Sequence, residues 1–223
     1  MKSKIEEMIL DPSFDYLQPY FYENPYALRC ELGMGKTERE YMAQARSRAR
    51  EIHQILFPNG TDAIIFNYWI YDWSDSGDAG GEQIGDADRI LVSETRALRF
   101  LLDNMRQYRH VSVRNLKTYD EPGDPDYGMT RRNRMVCFSD GIGFRDLELI
   151  DRQIEDQWNL EVGLVSFENE CILSVYDDRG CDVVFSCYGK MRDHYHRLKP
   201  FFLPHDLEEM GRRLARGENG ETV

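Results

Sequence analysis

The chain has 223 residues, 41% of them hydrophobic, with 13 Tyr, 11 Phe and 3 Trp. That is enough apolar area to offset the entropy of ordering the chain, so a wholly disordered polymer is excluded and one domain over residues 1–223 is the expectation. Its 28 Lys+Arg against 40 Asp+Glu give a net charge of −12, which opposes approach to a phosphate backbone and disfavours nucleic-acid binding.

Along the chain, residues 2–10 predict a short helix that ends at Asp11-Pro12, because the residue before a proline is pushed out of helical geometry. In Ala27-Leu28-Arg29-Cys30-Glu31-Leu32, alternation puts Leu28, Cys30 and Leu32 on one face and Arg29 and Glu31 on the other, and Gly33-Met34-Gly35 closes the strand. Thr37 with Glu40 has capping-box spacing. Tyr41, Ala45, Ala49, Ile52 and Leu56 then recur at helical intervals, so a long helix with that buried stripe is predicted. Residues 62–73 are apolar on both faces, as in a strand central to a sheet. The Gly, Asp and Ser stretch near 74–88 reads as a mobile loop. Its calcium-loop pattern has Gln83 where a liganding Glu is needed.

Ser93 is placed to cap a helix through Met105, followed by a strand over 110–116, a polar loop over 119–132 and a strand over 134–138. Phe144 to Trp158 predicts a helix with Leu147, Ile150, Ile154 and Trp158 on its stripe. Residues 160–167, 171–176 and 181–187 are alternating strands whose connections are so short that only antiparallel hairpins fit. A helix marked by Met191, Tyr195, Leu198 and Phe202 follows, Pro204 opens another, and 216–223 should fray. The fold class is α+β: a mainly antiparallel sheet with a C-terminal strand meander, packed by helices.

No run of residues is long and apolar enough to span a membrane, and the acidic N-terminus does not resemble a secretory leader. The five cysteines are an odd set without Cys-x-x-Cys spacing, which reads as reduced core residues of a cytoplasmic protein. No metal ligand set is found: in Asp193-His194-Tyr195-His196 the two histidines fall on different faces of a helix. The basic stretches Arg46-Ser47-Arg48-Ala49-Arg50 and Arg131-Arg132-Asn133-Arg134 are read first as solvated, salt-bridged surface. Enzyme signatures are missing, among them a nucleophile elbow, a phosphate-cradling loop and His-Glu-x-x-His. No cofactor is implied.

The densest charge lies in Tyr176-Asp177-Asp178-Arg179-Gly180-Cys181-Asp182. Asp177 and Gly180 suit a turn, the first through a side-chain bond to its own backbone and the second through left-handed geometry. Arg179 and Asp182 are not needed for that. Asp182 faces away from Cys181 and Val183, so if its side is covered it requires a partner, and Arg179 is the nearest in sequence. Arg29 and Glu31 project opposite charges from one strand face, which suits either an exposed cross-strand pair or a polar site shared with Asp177, Asp178, Arg179 and Asp182.

This core resembles that of an uncharacterised, mainly bacterial family called domain of unknown function 3885, whose pattern is Tyr-Asp-Asp-Arg-Gly-x-Asp. The likeness extends to Ala27 through Gly33, where Cys30 stands in place of the family's Phe, and to the helix over 40–57. It implies no activity. It points to Arg179 and Asp182, then Arg29 and Glu31, as the positions to suspect. Acidity, missing catalytic motifs and large polar loops suggest a non-enzymatic protein that binds a basic protein partner, of an immunity or accessory type. The rival is a metal-dependent or nucleotide-handling enzyme using Asp177, Asp178 and Asp182.

Overall fold

A computed structural model describes residues 2–14, 20–71, 108–118, 130–139, 144–156 and 161–218. Its elements in chain order are α1 (Lys4–Leu10), α2 (Tyr20–Glu23), β1 (Ala27–Glu31), α3 (Glu38–Leu56), β2 (Ala63–Tyr71), β3 (Arg109–Thr118), β4 (Thr130–Phe138), α4 (Asp146–Asp156), β5 (Glu161–Ser166), β6 (Cys171–Val175), β7 (Gly180–Phe185), α5 (Tyr188–Leu198) and α6 (Leu207–Glu218). Two single 3-10 turns, Lys199–Phe201 and Pro204–Asp206, join the last two helices.

The strands form one seven-stranded sheet, ordered β1-β7-β6-β5-β2-β4-β3, with every neighbouring pair antiparallel. The α+β arrangement is the predicted one. The β5-β6-β7 meander is there because its connecting turns are too short for any crossover. β2 lies between β5 and β4, and its residues 63–67 are buried on both faces.

Helices cover both sides. α2 reaches the face that carries Asp182, where the Phe21 N–H donates to Asp182 Oδ2 at 3.0 Å. α1 lies on that face too: Arg134 of β4, which shares it, donates to the Ile9 carbonyl. The opposite face carries Phe185, on which the His194 ring of α5 stacks. α3 packs on α4 and α5.

The capping box of α3 is present in full, with Thr37 accepting from the Glu40 N–H and Glu40 accepting from the Thr37 N–H. Three details differ from the sequence expectation, and a fourth, the salt-bridged basic stretch of α3, is as expected with its partners now identified. Leu147 is exposed, and the buried stripe of α4 runs instead through Leu149, Ile150, Gln153 and Ile154, because the packing of α4 against α3 selects the face that is covered. Residues 130–132, read as the end of a polar loop, are strand, paired with β2 from Tyr71↔Thr130 onward. The basic stretch of α3 draws its partners from other elements: Arg46 binds Glu155, Arg50 binds Asp151, and Arg48 Nε donates to the Glu31 carbonyl. Arg134 is buried and donates to the carbonyls of Ile9 and Phe14.

The loops expected near 74–88 and over 119–129, the helix from Ser93 to Met105, and Trp158 lie outside the described residues. All five cysteines are free, four of them buried. Among the described residues, no helix is long and apolar enough to cross a membrane.

Candidate functional site

In the β1–β7 ladder Arg29 stands directly opposite Asp182, Cys30 opposite Cys181 and Glu31 opposite Gly180. The Leu32 N–H donates to the Arg179 carbonyl, and the Phe185 N–H to that of Tyr26, so hydrogen-bonded pairs fall on the even-numbered residues of β1. Arg29 and Asp182 therefore occupy a non-hydrogen-bonded position, where side chains come closest.

Arg29 grips Asp182 through Nε to Oδ1 at 2.8 Å and Nη2 to Oδ2 at 3.0 Å. Asp182 is 1% exposed and the Arg29 side chain 13%, so this is a desolvated pair. Burial pushes the Asp182 carboxyl up, against the hydrogen bonds and charge of Arg29 and the N–H of Phe21. Burial opposes the charge on Arg29 as well, but hydrogen bonds and charge from Asp182 outweigh it and hold the guanidinium above its ordinary value. The rings of Phe21 and Tyr22 lie 5.2 and 4.8 Å from the guanidinium carbon, and Asp206 Oδ2 is 3.8 Å from Nη1. Tyr22 in turn donates its hydroxyl to Asp206 Oδ1 at 3.0 Å.

Two expectations are corrected here. Asp182 takes its partner from β1, not from Arg179. Arg179 folds back on Asp177, with Nε and Nη2 on Oδ2 at 2.8 and 2.5 Å and its own N–H on Oδ1 at 2.8 Å. Its side chain is 76% exposed. Gly180 does not have a left-handed backbone either: among the described residues Gly60 is the glycine with positive φ. A Cβ on Gly180 would fall 2.2 Å from the Tyr176 hydroxyl and 2.9 Å from the Cys30 carbonyl oxygen. The glycine is needed because the Tyr176 ring lies across it.

Gly33 repeats the device. A Cβ there would fall 2.1 Å from the Tyr41 ring, so the start of α3 closes onto the end of β1. Between these two glycine-seated rings opens a cleft of about 700 Å³, lined by Arg29, Cys30, Glu31, Gly33, Tyr41, Tyr176, Arg179, Asp182 and Leu203. Its size is that of a ligand site.

Arg29, Glu31, Arg179 and Asp182 thus share one cleft, with Asp177 behind Arg179. Asp178 does not line it. The three aspartates do not converge as a metal site would need, since Asp182 is held by Arg29 and Asp177 by Arg179. Among the described residues, no three His, Cys, Asp or Glu side chains are grouped to hold a metal.

The sequence reading missed Tyr41 as a cleft residue, placing it on the buried stripe of α3, whereas it is half-buried. The glycines Gly33 and Gly35, beyond any need for a strand end, were the available signal. Asp206, Tyr22 and Leu203 had none.

A family model described as Domain of unknown function (DUF3885) matches residues 7–206, and the chain belongs to that family. No curated protein and no solved structure matches the chain.

Proposed function

We propose that this member of the family is a non-enzymatic protein-binding module of the cytoplasm, of an immunity or accessory type, whose recognition site is the cleft between the β1–β7 ladder and the start of α3. The observation that carries the reading is the division of labour among its charges. Asp182 and Asp177 are each consumed by an arginine, which leaves them unsuited to general acid–base work or metal ligation, while the cleft above them is open and walled by Tyr41, Tyr176 and Leu203. Aromatic walls with a rigid charged floor are what protein recognition uses.

The net charge of −12 supports a basic partner, whose encounter it would accelerate. Five free thiols support a reducing compartment. Affinity capture from the native host with wild type and with Tyr41→Ala tests the reading. A stoichiometric basic protein retained by wild type and lost from folded Tyr41→Ala is the expected result. Equal retention by both proteins contradicts it.

A further inference from the structure

The charged groups of the cleft are unequally satisfied. Arg29 is bound to Asp182 and Arg179 to Asp177, each through its Nε and Nη2 edge. Glu31 is left. Its backbone carbonyl accepts from Arg48, but no hydrogen bond or ion pair reaches its carboxylate from any described residue. It stands across from Gly180 and two residues before Gly33, the two glycines on which the Tyr176 and Tyr41 rings are seated.

Charge reaches the Tyr41 wall of the cleft from both signs. Burial first, then the charges of Asp178 and Asp177, raise the Tyr41 hydroxyl above its usual range, with Arg179 opposing and Glu31 adding. An anion would meet guanidiniums already claimed by carboxylates. A cation would meet the Glu31 carboxylate in a cleft that the Tyr41 and Tyr176 rings also line, with Arg29 already 5.9 Å from the Tyr176 ring centroid; carboxylates and aromatic rings are the groups that attract ammonium and guanidinium.

We propose that the cleft takes one cationic side chain, a lysine or arginine of the protein partner, packed against Tyr41 and Tyr176 with its charge on the Glu31 carboxylate. This rests on the binding reading above and adds to it the chemistry of the anchor. Arg29–Asp182 and Arg179–Asp177 are then the scaffold that keeps β1 and the turn in place, and Glu31 is the group that touches the ligand.

The test is a titration of the isotope-labelled full chain, followed by NMR, with Nα-acetyl-arginine amide, Nα-acetyl-lysine amide and the neutral Nα-acetyl-glutamine amide at low salt. Saturable shifts of the Glu31, Gly33 and Gly180 amides with the two cationic probes, absent with the glutamine probe, are expected. Glu31→Gln, at a half-exposed position where the isostere leaves packing intact, should weaken the cationic probes about fivefold or more, with an unchanged thermal midpoint confirming its fold. Shifts of equal size with the glutamine probe, no saturable shift with either cationic probe, or equal affinity in Glu31→Gln would each overturn the proposal. Partner capture that depends on Tyr41 but not on Glu31 would overturn it too, while leaving the binding reading standing.

Discussion

At the scale of residues, the Tyr-Asp-Asp-Arg-Gly-x-Asp segment holds two ion pairs of opposite character. Arg29→Ala leaves Asp182 as a buried carboxylate with only the Phe21 N–H, and should cost about 3–5 kcal/mol. Arg179→Ala breaks an exposed pair and should cost about 1 kcal/mol or less. Urea unfolding, with the slope checked for constancy, separates them. Similar losses for the two would mean that the partners are misassigned.

Gly180→Ala should cost roughly 1–3 kcal/mol by overpacking against Tyr176, and a Gly180→Ala/Tyr176→Ala double variant should recover part of it. Additive losses would contradict the seating of the ring. Another residue sets a pH dependence. His194 is buried against Phe185, and burial lowers its pKa from the ordinary 6.5. Unfolding then takes up a proton, so its contribution is present above about pH 6.5 and is lost as pH falls through the lower folded value. His194→Gln should flatten the acid limb of stability measured against pH, and an unaltered limb would refute the assignment.

Part of this was legible in sequence and part was not. Alternation alone put Asp182 on the face away from Cys181 and Val183, and turn chemistry alone gave Asp177 a side-chain bond to nearby backbone, which the structure makes to the Arg179 N–H. The partner of Asp182 was hidden because it is fixed by strand register: Arg29 lies on β1, far away along the chain, and nothing local encodes which residue of β1 meets β7. The role of Gly180 was misread for a related reason, since left-handed turns and close ring contacts both select glycine.

At the scale of elements, edge protection explains why the C-terminal segment is built as it is. β1 is an edge strand of the sheet, and its outward groups are covered: the Leu203 N–H donates to the Arg29 carbonyl, the Arg29 N–H meets Met210 Sδ, and Arg48 takes the Glu31 carbonyl. Covering an edge in this way prevents pairing with another chain. Arg213 pins the cover, with Nη1 donating to the carbonyls of Phe21 and Asn24 at 2.7 and 2.9 Å and its guanidinium over the Phe21 ring.

Arg213→Met should cost about 2 kcal/mol and should raise amide exchange in β1 ahead of the rest of the sheet. Uniform exchange across all strands would count against this coupling. The start of α3 came through well because Thr37 carries a capping signal. The phase of α4 did not, because its apolar residues allow two stripes and only the packing against α3 chooses between them. The innermost contact there is buried: His53 Nε2 lies 3.1 Å from Asp146 Oδ2, which also accepts from the Thr61 hydroxyl at 2.7 Å.

At the scale of the molecule, acidity and architecture point the same way. A sheet covered on both faces leaves the cleft at the β1–β7 end as a recess, and the chain as a whole carries a net charge of −12. Association with a basic partner should slow steeply as ionic strength rises, because steering between exposed charges is screened beyond roughly 10 Å at 0.1 M salt. Dissociation should change less. The meander and the class of fold were readable because short connections force antiparallel pairing. The order in which β1 joins β7, and hence the existence of the cleft, was not, since it depends on contacts between the two ends of the chain.

The most direct test of the cleft as the recognition site is hydrogen exchange of the full chain alone and in complex with its captured partner. Slower exchange concentrated in residues 30–41 and 176–180, with the α4 surface unaffected, is the predicted outcome. Protection elsewhere with no change at those two segments would contradict it.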